Sequence, residues 1–142
     1  MSFYTIGQSI KSCLDIVQAA GGSRLSVVYD FESPDGTGYP YATIAPKEGE
    51  EDILDTANNL ATYRFLVRAV NVNKDKGAME ATMRRLADDI MGELRKGAHQ
   101  TFGNTVDRVS PFKISWGWET SNNLPSRFFE IEIEVMKDIP IL

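Results

Sequence analysis

Glu130, Glu132 and Glu134 alternate with Phe129, Ile131, Ile133 and Val135. In an extended strand this places the three carboxylates on one face, about 7 Å apart at two residues of strand rise. Such a row could hold a divalent cation for hydrolysis, although no histidine or lysine adjoins it in sequence. Lys113 is a residue that folding could bring alongside. The plainer reading is a solvated strand face whose carboxylates pair across the sheet with Arg64 and Arg68. Trp116 and Trp118 flank Gly117, so on a strand both indoles share a face. A core or subunit contact is expected of them before a ligand platform. His99 is the sole histidine and falls in a helix exit, while Cys13 sits in an apolar periodic segment and reads as a small core hydrophobe. Gly36 and Gly38 occupy a turn and do not link a strand to a helix, so they are not a phosphate loop. No serine or cysteine stands in a nucleophile signature, and His, Cys, Asp and Glu do not cluster at transition-metal spacing. The expectation is a protein with no catalytic site, no metal and no cofactor.

The elements that position these residues follow from periodicity. Phe3, Ile6, Ile10, Cys13, Leu14 and Val17 recur every three or four residues, which predicts an amphipathic helix ended by Gly21-Gly22. Leu25 to Phe31 alternates and predicts a strand closed by the turn Ser33-Pro34-Asp35-Gly36. Tyr39 to Ala45 is a second short strand, expected to form a hairpin with the first. Pro46 to Asn59 is acidic and polar, and is expected to be a long loop in which Ile53 and Leu54 dock. Leu60 to Asn73 is the strongest strand, with Tyr63, Phe65, Val67 and Ala69 facing one way and Arg64, Leu66, Arg68 and Val70 the other.

A second helix carries Met79, Met83, Leu86, Ala87, Ile90 and Leu94 on its apolar stripe, with Asp75 as its N-cap and Gly97 as its stop. Glu80, Arg84, Arg85, Asp88, Asp89 and Glu93 are expected on its solvated side. A short strand at Thr105–Val109, a strand at Phe112–Glu119 and a final strand from Arg127 to about Lys137 complete the chain. Strands and helices do not alternate steadily. The expected fold is therefore α+β, a mainly antiparallel sheet of about five strands covered on one face by two amphipathic helices.

The totals agree with one domain over residues 1–142. Hydrophobic residues make up 42% and charged residues 25%, and the net charge of −5 argues against tight nucleic-acid binding over a broad surface. A single cysteine suits a reducing compartment, and neither a signal peptide nor a run of about 18 apolar residues is present. The reading is a cytoplasmic product with no membrane partner.

The central third carries a more specific pattern. It reads Tyr39-Pro40-Tyr41-Ala42-Thr43-Ile44-Ala45-Pro46, then an acidic stretch through Asp52, then Asn59 and Tyr63-Arg64-Phe65-Leu66-Val67-Arg68. This order resembles the tail terminator proteins of long-tailed bacteriophages, and the following helix and closing strands resemble that family too. The resemblance implies a structural virion protein with no enzymatic activity. Its protomers form a ring, typically a hexamer, that caps the tail tube, stops tube polymerisation and joins the tail to the head. The implied partners are further copies of the chain, the tail tube protein and the head-completion or neck proteins. DNA would pass through the lumen without specific binding. Assembly would take place in the host cytoplasm, and the finished protein would lie at the head–tail junction.

Within that frame Glu130, Glu132 and Glu134 are expected to face the lumen, repelling phosphate. Arg64, Arg68, Ile53, Leu54 and Asp55 are expected at subunit or tail-tube contacts. A head-closure or adaptor role is the alternative within the neck. A small metal-dependent hydrolase using the glutamate row, or a monomeric ligand-binding module using the tryptophans, are the alternatives from other classes.

Overall fold

The computed structural model describes residues 3–20, 25–29, 31, 38–53, 58–99, 101–102, 106–121 and 123–140. Helix α1 spans Phe3–Ala19 and helix α2 spans Lys76–Leu94, followed by a 3-10 turn at Gly97–His99. The strands are β1 (Val27–Tyr29), β2 (Tyr41–Ile53), β3 (Asn58–Val72), β4 (Arg108–Ser121) and β5 (Leu124–Pro140). They form one sheet in the order β1-β2-β3-β5-β4. The fold is α+β and the sheet is mixed: β1 runs parallel to β2, while the other neighbours are antiparallel.

Both helices turn their periodic stripes onto the same sheet face. Ile6, Ile10, Cys13, Leu14 and Val17 of α1 and Met79, Met83, Leu86, Ile90 and Leu94 of α2 share one core with Phe65, Val67, Ala69, Phe129, Ile131, Ile133 and Val135. Each fully buried aliphatic or aromatic side chain contributes about 1.5–3 kcal/mol through its removal from water. At the start of α2 the Asp75 carboxylate accepts a hydrogen bond from the Ala78 backbone N–H at 3.0 Å, as its position predicts. Asp75→Ala is expected to lower unfolding free energy by about 1 kcal/mol, read as a shifted urea midpoint at unchanged slope.

Three expectations are corrected. The first two strands are not a hairpin: Val27 lies opposite Tyr41 and Tyr29 opposite Thr43 in parallel register. Parallel neighbours need a crossover, which a tight turn cannot supply. The junction is fastened by Ser26, whose backbone N–H donates to the Pro40 carbonyl at 2.8 Å and whose hydroxyl donates to the Tyr39 carbonyl at 2.9 Å. Gly21-Gly22 and the run Ser33-Pro34-Asp35-Gly36 lie outside the described residues.

Second, most of the acidic stretch is strand. β2 continues to Ile53 and pairs with β3 from Asn58 onward, with Glu50 opposite Thr62 and Asp52 opposite Leu60. Glu, Asp and Gly are poor strand formers, but β3 offers a complete hydrogen-bonding edge and the carboxylates remain in water. A bulge between Pro46 and Glu48 rephases β2. Before it Ala42, Ile44 and Pro46 face the helices; after it Gly49 and Glu51 do, and Glu48, Glu50 and Asp52 face away. One extra residue is enough to move every later side chain to the other face. That shift is why the stretch carries no continuous alternation.

Third, the end of the segment expected at Thr105–Val109 and the strand expected at Phe112–Glu119 belong to one strand, β4, which begins at Arg108 and has a bulge between Pro111 and Lys113; Thr105 lies outside the described residues. Asn123 adopts φ 65° in the turn that returns β4 as β5, a conformation asparagine reaches more readily than most residues.

Candidate functional site

β5 places its even residues on the sheet face opposite the helices, so Glu130, Glu132 and Glu134 do project together. Register sets Glu130 against Arg68, Glu132 against Leu66 and Glu134 against Arg64. On the other flank Glu132 stands opposite Lys113. The row is therefore threaded with cations.

The Arg64 Nε donates to Glu134 at 3.2 Å, and its terminal nitrogens lie 2.5 Å from Glu48 and 3.5 Å from Glu50. Hydrogen bonds to Glu48 and Glu134 hold the guanidinium even more firmly in its charged form. Arg68 bridges Glu119 at 2.8 Å and Glu130 at 3.4 Å, and its guanidinium lies 4.2 Å above the Phe128 ring. Lys47, the residue at the β2 bulge, pairs with Glu132 from across β3. Individually such half-exposed pairs contribute about 0–1 kcal/mol. Linked over four strands, they fix the register of the face and its pattern of charge. Gly117 is required beneath it, since a Cβ there would collide with the Phe128 ring.

These pairs weigh against a cation-binding role for the glutamate row. A divalent cation would have to displace Arg64, Arg68 and Lys47 from the carboxylates. Among the described residues no group of three or more His, Cys, Asp and Glu is placed to hold a metal. The face is better described as an ion-pair lattice in which Glu48, Glu50, Asp52 and Glu119 add further carboxylates.

Trp116 and Trp118 fall on the helix-facing side of β4, which is an edge of the sheet, and are 38% and 47% exposed. They do not offer an empty platform. The Arg127 guanidinium sits 4.9 Å from the Trp116 ring and 4.8 Å from the Trp118 ring, and Lys76 approaches Trp118 from α2 at 5.7 Å. Glu80 of α2 closes on Arg127 at 2.7 and 3.0 Å. Burial opposes ionisation of Glu80, but hydrogen bonds from Arg127 and Arg84 outweigh it and lower its pKa. This cluster joins α2 to the sheet edge. No local sequence signal could have revealed it, because Glu80 and Arg127 lie on separate elements.

Glu93 departs from the expected solvated side of α2. It is 6% exposed and bound by Lys96 at 2.6 Å, with His99 3.6 Å away. The Lys96 hydrogen bond holds its pKa below the usual carboxylate range, against burial. A folded pKa below the unfolded one stabilises the fold above the unfolded value, and that contribution disappears as pH falls through the folded pKa. Glu93→Gln is expected to cost about 1 kcal/mol at pH 7 and to lose less stability than the wild type between pH 6 and pH 3, measured by urea denaturation at each pH. Cys13 is buried, and burial raises its thiol pKa to about 11, which keeps it an inert core group.

Ile53 ends β2, whereas Leu54 and Asp55 lie outside the described residues. No described helix is long and apolar enough to cross a membrane.

No protein-family model matches the chain, and no curated protein matches its sequence. Among solved structures it is similar to a chain of the virion of a native gene transfer agent particle, with a TM-score of 0.57 and 11% identity over 94% of each chain. At that identity the likeness is one of fold, and it extends over nearly the whole of both chains.

Proposed function

We propose that this protein is a structural component of a phage-like particle, and specifically a tail terminator. In this role it forms a ring, typically of six copies, that caps the tail tube, stops its polymerisation and joins it to the head. The observation that carries the reading is the fold shared over 94% of the chain with a chain of a gene transfer agent virion. The pattern from Tyr39 to Arg68 points to the same class independently. The reading treats residues 1–142 as one domain that assembles without cofactor or catalysis.

In the ring, Glu130, Glu132 and Glu134 face the lumen. Their cationic partners hold them in place, and the further carboxylates of Glu48, Glu50 and Glu119 keep the surface acidic toward passing DNA. Such a surface gains nothing from counterion release and so does not retain the duplex. Arg64 and Arg68 already bind carboxylates of their own chain. This favours contacts to a neighbour or to the tube through the segment Ile53-Leu54-Asp55.

Electron microscopy of the purified protein at high concentration is expected to show closed rings with a hole wide enough for duplex DNA. Deleting the protein from the particle that carries it is expected to give tubes of uncontrolled length. Normal tails on leaking heads would transfer it to the head-closure class, and unchanged particles would remove the structural reading altogether.

A further inference from the structure

Beyond Met136 the sheet narrows. β4 begins at Arg108, opposite Met136, so Lys137–Pro140 of β5 pair only with β3, and β2 completes a three-stranded limb. The outer strand of this limb is the acidic end of β2. Glu48 and Glu50 are engaged by Arg64, whereas Glu51 and Asp52 are exposed on opposite faces of the strand, just before Ile53.

At the other side of the molecule, α2 and the edge strand β4 enclose an open groove of about 380 Å³. Met91, Ile114 and Trp116 give it an apolar floor, and Arg84 and Arg95 stand on its rim with Asp88. Arg84 is 72% exposed even while it pairs with Glu80, and Arg95 projects into solvent past the last turn of the helix. A strand end with two exposed carboxylates is the electrostatic complement of a groove with two guanidinium groups on its rim.

We propose that the β2 end of the limb, through Glu51 and Asp52, docks in the α2–β4 groove of a second copy of this chain. The proposal rests on the ring reading and names the two surfaces that would make the ring. A limb cannot reach the groove of its own chain. Asp52 is in line with Asp138 through Leu60, and Trp116 is opposite Phe129. The nine residue steps along β5 between those levels separate them by roughly 30 Å along a straight strand. Donor and acceptor are different surfaces, so the contact is heterologous and each copy uses both, the kind of contact that forms a ring when its rotation closes. Asp88 repels a limb carboxylate set too close to it and so fixes which carboxylate meets which arginine. Charge at the rim also predicts an association that weakens as salt is raised.

Two charge-reversed proteins test this, one with Arg84→Glu and Arg95→Glu in the groove, the other with Glu51→Lys and Asp52→Lys on the limb. All four side chains are exposed, and although Arg84→Glu gives up the pair with Glu80, a native circular dichroism spectrum and cooperative thermal unfolding would verify that each variant folds. In sedimentation velocity at low salt, the wild type is expected to self-associate and each variant alone to lose association at least tenfold. An equimolar mixture is expected to recover it, because the acidic limb of one variant meets the basic groove of the wild-type sign and the basic limb meets the acidic groove. Folded variants that associate as the wild type does would overturn the docking while leaving a ring built on another interface. A mixture that fails to recover would overturn the charge pairing. A wild type that stays monomeric up to millimolar concentration would also overturn the docking, and the tube-length phenotype would then decide the ring reading separately.

Discussion

Phe129→Ala is expected to lower the unfolding free energy by about 3–5 kcal/mol, the largest effect of any single truncation considered. Phe129 is fully buried, and its ring centre lies 5.0 Å from that of Trp116 across the β4–β5 pair. On its other flank it stands opposite Ala69, whose methyl group is too short to fill the vacated space. The cavity would open beneath α2, between a tryptophan held by Arg127 and a rigid strand, so little of it can collapse. Domains of this size are stable by roughly 5–15 kcal/mol, and the variant would stand near the edge of folding at 37 °C. Phe128→Ala, one residue away on the opposite face, is the control. That ring is only partly buried under Arg68 and should cost clearly less. Urea denaturation of the two variants checks the order, and equal losses would mean that the helix-facing side is not the main core.

Arg127→Ala is expected to cost about 2–4 kcal/mol, more than a surface ion pair can account for. The Arg127 side chain is 13% exposed and that of Glu80 is 20% exposed. Truncation removes a guanidinium lying against two indoles and leaves Glu80 with Arg84 as its remaining cation. Arg127→Lys should restore little, since an ammonium cannot lie flat against both rings while also engaging a carboxylate with two nitrogens. Thermal unfolding gives the magnitude, and tryptophan fluorescence reports the site directly, because the indoles become more exposed when the cation leaves. A lysine variant as stable as wild type would show that charge alone holds α2 to the edge strand.

Parts of this architecture were legible from residue order. The stripe of α1, the stripe and N-cap of α2, and the inward sides of β3 and β5 each depend on a periodicity that survives over many residues. The pairing of Arg64 and Arg68 with the glutamate row was foreseeable as well, because all five residues occupy outward positions of strongly patterned strands. The acidic end of β2 and the halves of β4 were not legible. Each contains a bulge, at Pro46/Glu48 and at Pro111/Lys113, that interrupts the alternation from which a strand is recognised. Glu93 was misplaced because its partners His99 and Lys96 lie beyond the end of the helix, and a helical wheel does not include them.

Which faces of the helices and of the long strands avoid water follows from residue order alone, since that choice depends on neighbours three, four or two residues away. The packing of the whole chain decided that β1 would lie parallel to β2 and that a polar acidic run would extend a strand of the sheet. It also decided that Glu132 would be met by Lys47 from β2, and that the Arg127 guanidinium would lie against two tryptophans. Those outcomes belong to strand order and register. They arise from contacts between residues far apart in the chain, whose energies exist only once the core has brought the strands together.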